Sequence, residues 1–189
     1  MPELTQSQIN NASKTIGFTL LQSGVGFIQQ AYKKLSKKIL SGGVRDAFNQ
    51  YGFNAIPISE ADYAFAFLTP QDAEPIAWDI MNFVHRFAYV AEYFDCDNFA
   101  HLTSSLMPLL YGVNTCGTIW GDVYDKDTGK FIVGHYFNIV ATYKDSIYPN
   151  ERLELYLTDA LNPCWIKIEK GKPIIGNQWE YRIKSGKYF

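Results

Sequence analysis

The period of the hydrophobic pattern changes at Gly112, and this change constrains the fold of the chain more than any other feature. Before it, apolar residues recur at helical spacing. Phe27, Ala31, Leu35 and Ile39 form a stripe over residues 26–40, which Ser41-Gly42-Gly43 ends. Ile76, Ile80, Phe83, Phe87 and Val90 or Tyr93 form another over residues 71–94. A third run starts at Cys96 and continues through Phe99, Ala100, Leu106, Leu109 and Leu110, with Gly112 closing it. Two short strands are expected earlier, at 55–59 and 63–68, before Thr69-Pro70 breaks the chain. After Gly112 the pattern predicts strands at 118–120, 131–143, 153–158, 164–168 and 179–183. Turns are expected at Asp125–Gly129 and near Lys170-Gly171-Lys172-Pro173. The expected class is α+β, with N-terminal helices packed on an antiparallel sheet. The expected division is a helical N-terminal extension over 1–50 and one compact unit over 51–189.

Composition narrows the function classes. The chain has 189 residues, 47% hydrophobic and 19% charged, which suits a packed core. A formal net charge of -2 speaks against nucleic-acid binding by bulk electrostatics. Lys33, Lys34, Lys37 and Lys38 read as a solvated face. The run from Thr15 to Ile28 is interrupted by Gln22 and glycines and is too short to span a bilayer. No basic segment precedes an apolar one at the N-terminus, so the expected location is cytoplasmic. Aromatic residues make up 16%, which implies either an aromatic core or a surface that holds ligands by stacking. Cys96, Cys116 and Cys164 are odd in number and lie in no C-x-x-C, so at least one free thiol and no zinc site are expected. Asp125 does not open an EF-hand loop, because the twelfth position from it is Tyr136 rather than Glu.

Three segments carry chemistry. Cys96 stands at the expected start of a helix, where backbone N–H groups and positive potential favour a thiolate. Asp95 or Asp97 can cap that helix. His135, in Gly134-His135-Tyr136-Phe137, lies on a strand, and Asp159 ends the next one. Antiparallel neighbours can bring the acid to the imidazole and fix its tautomer. Asp97 and His101, four apart on one helix face, could bind a metal if His85 approached, but an ion pair or cap is the favoured reading. Cys116 and Cys164 read as structural, and Asn138 as either a backbone tie or a substrate contact.

This chain order resembles the papain-like and transglutaminase-like thiol superfamily over about residues 90–160. The resemblance implies Cys96 as nucleophile, His135 as general base and Asp159 as orienting acid. It implies acyl transfer on a peptide or other amide substrate with no metal or organic cofactor, as in a cysteine hydrolase. Such a family places part of its oxyanion hole before the nucleophile. Here Trp78, Asn82 and Tyr93 are the candidates, with Asn138 in support, and no fixed offset selects one. Asp95 and Asp97 flank the thiol, and their charge works against its ionisation. The rival is a non-catalytic binding or assembly module on the same fold. Membrane association through residues 15–40 is a third reading.

Overall fold

The computed structural model describes residues 37–40, 51, 64–91, 93–144 and 153–187. The strand expected at 55–59 and most of the helical extension expected over 1–50 lie outside the described residues.

The first described elements are strands β1 (Lys37–Leu40) and β2 (Ala64–Phe67), paired antiparallel with Lys37 opposite Phe67. The apolar spacing over 26–40 predicts a helix, yet its last turn is extended. The ladder to β2 satisfies the backbone there, and Phe65 and Phe67 of β2 are fully buried in the sheet's core. Tertiary pairing overrides a local helical pattern at this point.

Helix α1 (Pro70–Val84) starts where Thr69 accepts from the Asp72 N–H at 3.3 Å, with proline in the first turn. It buries Ala73, Ile76, Ala77, Ile80, Met81 and Val84 on one face. It stops ten residues short of the predicted end at Phe94. Phe87 and Phe94 continue the apolar spacing, but their rings pack on each other at 5.7 Å across a turn. Phe94 in turn packs on Phe99 at 5.0 Å. Ring contacts thus replace a helical face.

Helix α2 (Cys96–Tyr111) matches its predicted span, and Gly112 closes it at φ 70° in the left-handed region. The first turn is tied by the Asn98 carbonyl oxygen Oδ1, which accepts from the Asp95 N–H at 3.1 Å. Asp97 Oδ1 accepts from the Asn98 N–H at 2.8 Å.

The remaining strands are β3 (Cys116–Asp125), β4 (Phe131–Tyr143), β5 (Leu153–Thr158), β6 (Trp165–Ile168), β7 (Ile174–Ile175) and β8 (Trp179–Lys187). They form one antiparallel sheet in the order β6-β5-β4-β3-β8-β7. Its edges β6 and β7 approach each other, so the sheet curls toward a barrel. The fold class is accordingly corrected. The structure is mostly β with two described helices, rather than the α+β papain-like or transglutaminase-like core expected above. The physical reason is that β3 and β8 run longer than their hydrophobic cores suggested, because twisted antiparallel ladders extend beyond them.

Side chains alternate across β4 as a two-residue period requires. Phe137, Ile139, Ala141 and Tyr143 enter the core enclosed by the sheet, with Ile119, Leu155, Leu157 and Tyr181. Val140 faces the helices and joins Ile76, Ile80, Phe99 and Met107. Asn138, between them in phase with Val140, donates from Nδ2 to the Ala100 carbonyl at 2.9 Å and the Gly117 carbonyl at 3.2 Å. It ties α2 to the sheet and so fixes where Cys96 sits.

One close approach is diagnostic. At Gly121 the β3–β8 register shifts, and a Cβ there would lie 2.5 Å from the Arg182 carbonyl oxygen and 3.0 Å from the Phe137 ring. Gly121→Ala is expected to push β8 outward and cost about 1–3 kcal/mol, read as a lower urea midpoint. An unchanged midpoint would mean that β8 does not pass this close.

Candidate functional site

The site forms where the start of α2 meets β4 and the end of β5. His135 points into the enclosed core because it shares the parity of Phe137 and Ile139, and it is buried. Its Nε2 lies 2.8 Å from Asp159 Oδ2. Asp159 immediately follows β5, whose Thr158 stands opposite Asn138 of β4. That register carries the acid to the imidazole. Cys96, the first residue of α2, lies close enough to the same ring to help raise its pKa. The structure therefore brings Cys96, His135 and Asp159 together.

The electrostatics of the ring follow from these neighbours. Burial opposes its protonation, but hydrogen bonds and charge from Asp159 and Cys96 outweigh burial and raise its pKa to about 9. His135 is then an imidazolium at neutral pH and donates from Nε2 to Asp159. The edge of Trp179 covers it, with ring centroids 5.6 Å apart at 81°.

Asp159 is held from three directions. Besides His135, the Tyr181 hydroxyl donates to Oδ2 at 3.1 Å and the Leu161 N–H donates to Oδ1 at 2.9 Å. Tyr181 and Asn162 were not singled out by the sequence. The available signal was parity, since Trp179 and Tyr181 are two apart on one strand and must share a face.

The other expected site residues are elsewhere. Trp78 packs against the helical core, Asn82 is exposed, and Tyr93 is 83% exposed. The Asn138 amide is used by the two backbone carbonyls described above. No side-chain oxyanion donor is thus found among these four. A hydrogen bond with Asp95 comes first among the causes that hold the Asp97 carboxyl below the usual range. His85 bonds through Nδ1 to the Ala160 carbonyl at 2.9 Å, away from Asp97 and His101. Among the described residues no cluster of three His, Cys, Asp or Glu side chains could hold a metal.

All three cysteines are free thiols. Burial pushes the Cys116 thiol up to about 12. Burial, then the charge of Asp159, does the same to Cys164. Cys96 alone is partly exposed. On the helix side of β4, Tyr136 and its cross-strand neighbour Trp120 present half-exposed rings 4.8 Å apart, with His101 of α2 beside them.

No family model matches the chain, and no curated protein matches it. Several solved structures resemble it, among them the following two. One is a Polyporus squamosus lectin bound to a human-type influenza-binding epitope, at 17% identity and a TM-score of 0.45, covering 70% of this chain and 45% of that one. The other is the PSL1a–E64 complex, at 16% identity and a TM-score of 0.47, covering 80% and 51%. The chain thus spans about half the length of these proteins. Likeness of this degree speaks to neither ligand nor activity. A papain-like or transglutaminase-like thiol hydrolase was expected, but no family model matches and the structure is mostly β. That resemblance is corrected, and the acyl-transfer activity and peptide substrate it implied go with it. Among the described residues no helix is long and apolar enough to cross a membrane.

Proposed function

We propose that this domain is a binding module rather than an enzyme, and that its binding site is the line Cys96–His135–Asp159. The observation that carries the reading is the buried His135, bonded to Asp159 at 2.8 Å, with the partly exposed Cys96 close to the ring. A partly exposed thiol close to an imidazole offers a ligand a soft sulfur beside a polar ring. The half-exposed Trp120 and Tyr136 rings supply nearby surface on which a ligand can stack. Capture rather than turnover is favoured because none of the four candidate side chains is placed to stabilise an oxyanion.

Limiting iodoacetamide on the folded protein at pH 7, followed by peptide mass mapping, tests this. Cys96 is expected to react at least about 100-fold faster than Cys116 or Cys164, whose buried thiols stay protonated. His135→Ala is expected to slow Cys96 about 10-fold or more. Comparable labelling of the three cysteines, or an unaltered Cys96 rate in His135→Ala, would remove the reading.

A further inference from the structure

We propose that Tyr181 and Asn162 are positioning residues of the Cys96 site: Asn162 orients the Tyr181 hydroxyl, and that hydroxyl shares Asp159 Oδ2 with His135, setting the pH range over which the imidazole keeps its proton. The inference rests on the Cys96–His135–Asp159 reading and adds the groups that tune it.

The geometry forms a directed chain. Asn162 Nδ2 donates to the Tyr181 oxygen at 3.2 Å. With that lone pair occupied, the Tyr181 hydroxyl donates onward to Asp159 Oδ2 at 3.1 Å. The same oxygen faces His135 Nε2 at 2.8 Å. One carboxylate oxygen therefore serves two donors, and each draws charge away from the other. Burial, then the charge of Asp159, raises the Tyr181 pKa far above its ordinary value, so the phenol remains a donor throughout the range in which His135 titrates.

The groups that face this cluster come from four places. Cys96 approaches from α2, with Asp95 and Asp97 beside it in the first turn. Trp179 and Tyr181 come from β8. Cys164, before β6, lies 3.9 Å from the Tyr181 oxygen. Its thiol is pushed up to about 12, so it adds no charge below that pH. Phe137 of β4 and the Leu161 N–H complete the shell. Tyr181 is the group whose removal changes the Asp159–His135 bond without removing a charge.

The sign follows. Without the phenolic hydrogen bond, the charge on Asp159 Oδ2 falls on His135 alone and holds its proton more tightly. Tyr181→Phe keeps the ring that packs on Phe137 at 5.2 Å and deletes only the hydroxyl. Imidazole titration by NMR and Cys96 alkylation by iodoacetamide would be followed from pH 5 to 10 in the parent, Tyr181→Phe and Asn162→Ala. In Tyr181→Phe the imidazole titration curves are expected to move upward by about half to one pH unit. Asn162→Ala is expected to move them the same way by less, and it decides the matter if Tyr181→Phe does not fold. Profiles that stay in place, or move downward, would overturn the inference while a fast, His135-dependent Cys96 in the parent kept the site reading intact. A slow Cys96 in the parent would instead remove the site reading itself.

Discussion

Asp159→Ala is expected to destabilise the fold by about 3–5 kcal/mol, the range found when one partner of a buried ion pair is deleted. Asp159 is 1% exposed and accepts from His135, from Tyr181 and from the Leu161 N–H. Removing it leaves a buried imidazolium, a buried hydroxyl and a backbone donor without that acceptor, and water does not reach the site freely. The imidazole can shed its proton, which limits the loss but does not restore the hydrogen bonds. For a chain of this size the melting temperature is expected to fall by about 10 °C. Asp159→Asn keeps the volume and can still accept from the Leu161 N–H. Its amide nitrogen, however, opposes the His135 donor, so a smaller loss of about 1–3 kcal/mol is expected. Paired thermal melts and urea titrations check both values. An Asp159→Ala protein melting within about 2 °C of the parent would show that the carboxylate does not anchor this corner of the sheet.

The helix of Cys96, its glycine stop and the positions of β4 and β5 were legible in the sequence because each is locally consistent. In α2 the N-terminal polar residues, the apolar spacing and Gly112 all point the same way. In β4 most residues are β-branched or aromatic, which favours a strand. Where local pattern and tertiary packing disagree, the pattern misleads. Residues 37–40 show helical spacing but pair with β2, and Phe87 to Phe94 show it but stack across a turn. The fold class was misjudged for the same reason. Helical stripes are conspicuous in sequence, whereas a sheet that closes on itself reveals its extent only through pairing, as between β3 and β8. Cys96 and Asp159 stood out in the sequence as chemically distinctive residues at element ends, and His135 as one within a strand. Tyr181 and Asn162 did not, since nothing local separates a tyrosine that tunes a carboxylate from one that fills a core. Trp78, Asn82 and Tyr93 were candidates by sequence proximity to Cys96, and proximity in sequence does not aim a side chain at a site.

The stability of the protein is expected to fall as pH rises from about 6.5 to beyond 9, and His135 is the cause. Its folded-state pKa of about 9 lies above the ordinary 6.5, so the folded state binds the proton more tightly than the unfolded state. Stability from this group is fully present below about 6.5 and is lost as pH passes through about 9. A difference of this size corresponds to at most about 3 kcal/mol. Other groups separate cleanly from it. Cys116 and Cys164 have folded-state values near 12 against an ordinary 9, so their contribution declines only above pH 9. Urea midpoints at pH 6, 7.5 and 9 therefore isolate the histidine. The parent is expected to lose stability steadily across them, and His135→Gln, which cannot take up the proton, is expected to stay nearly flat. A parent as flat as His135→Gln would mean that the imidazole is neutral in the fold. A neutral ring would also leave Cys96 without a cation at its side, so the same result would count against a thiolate at the proposed binding site.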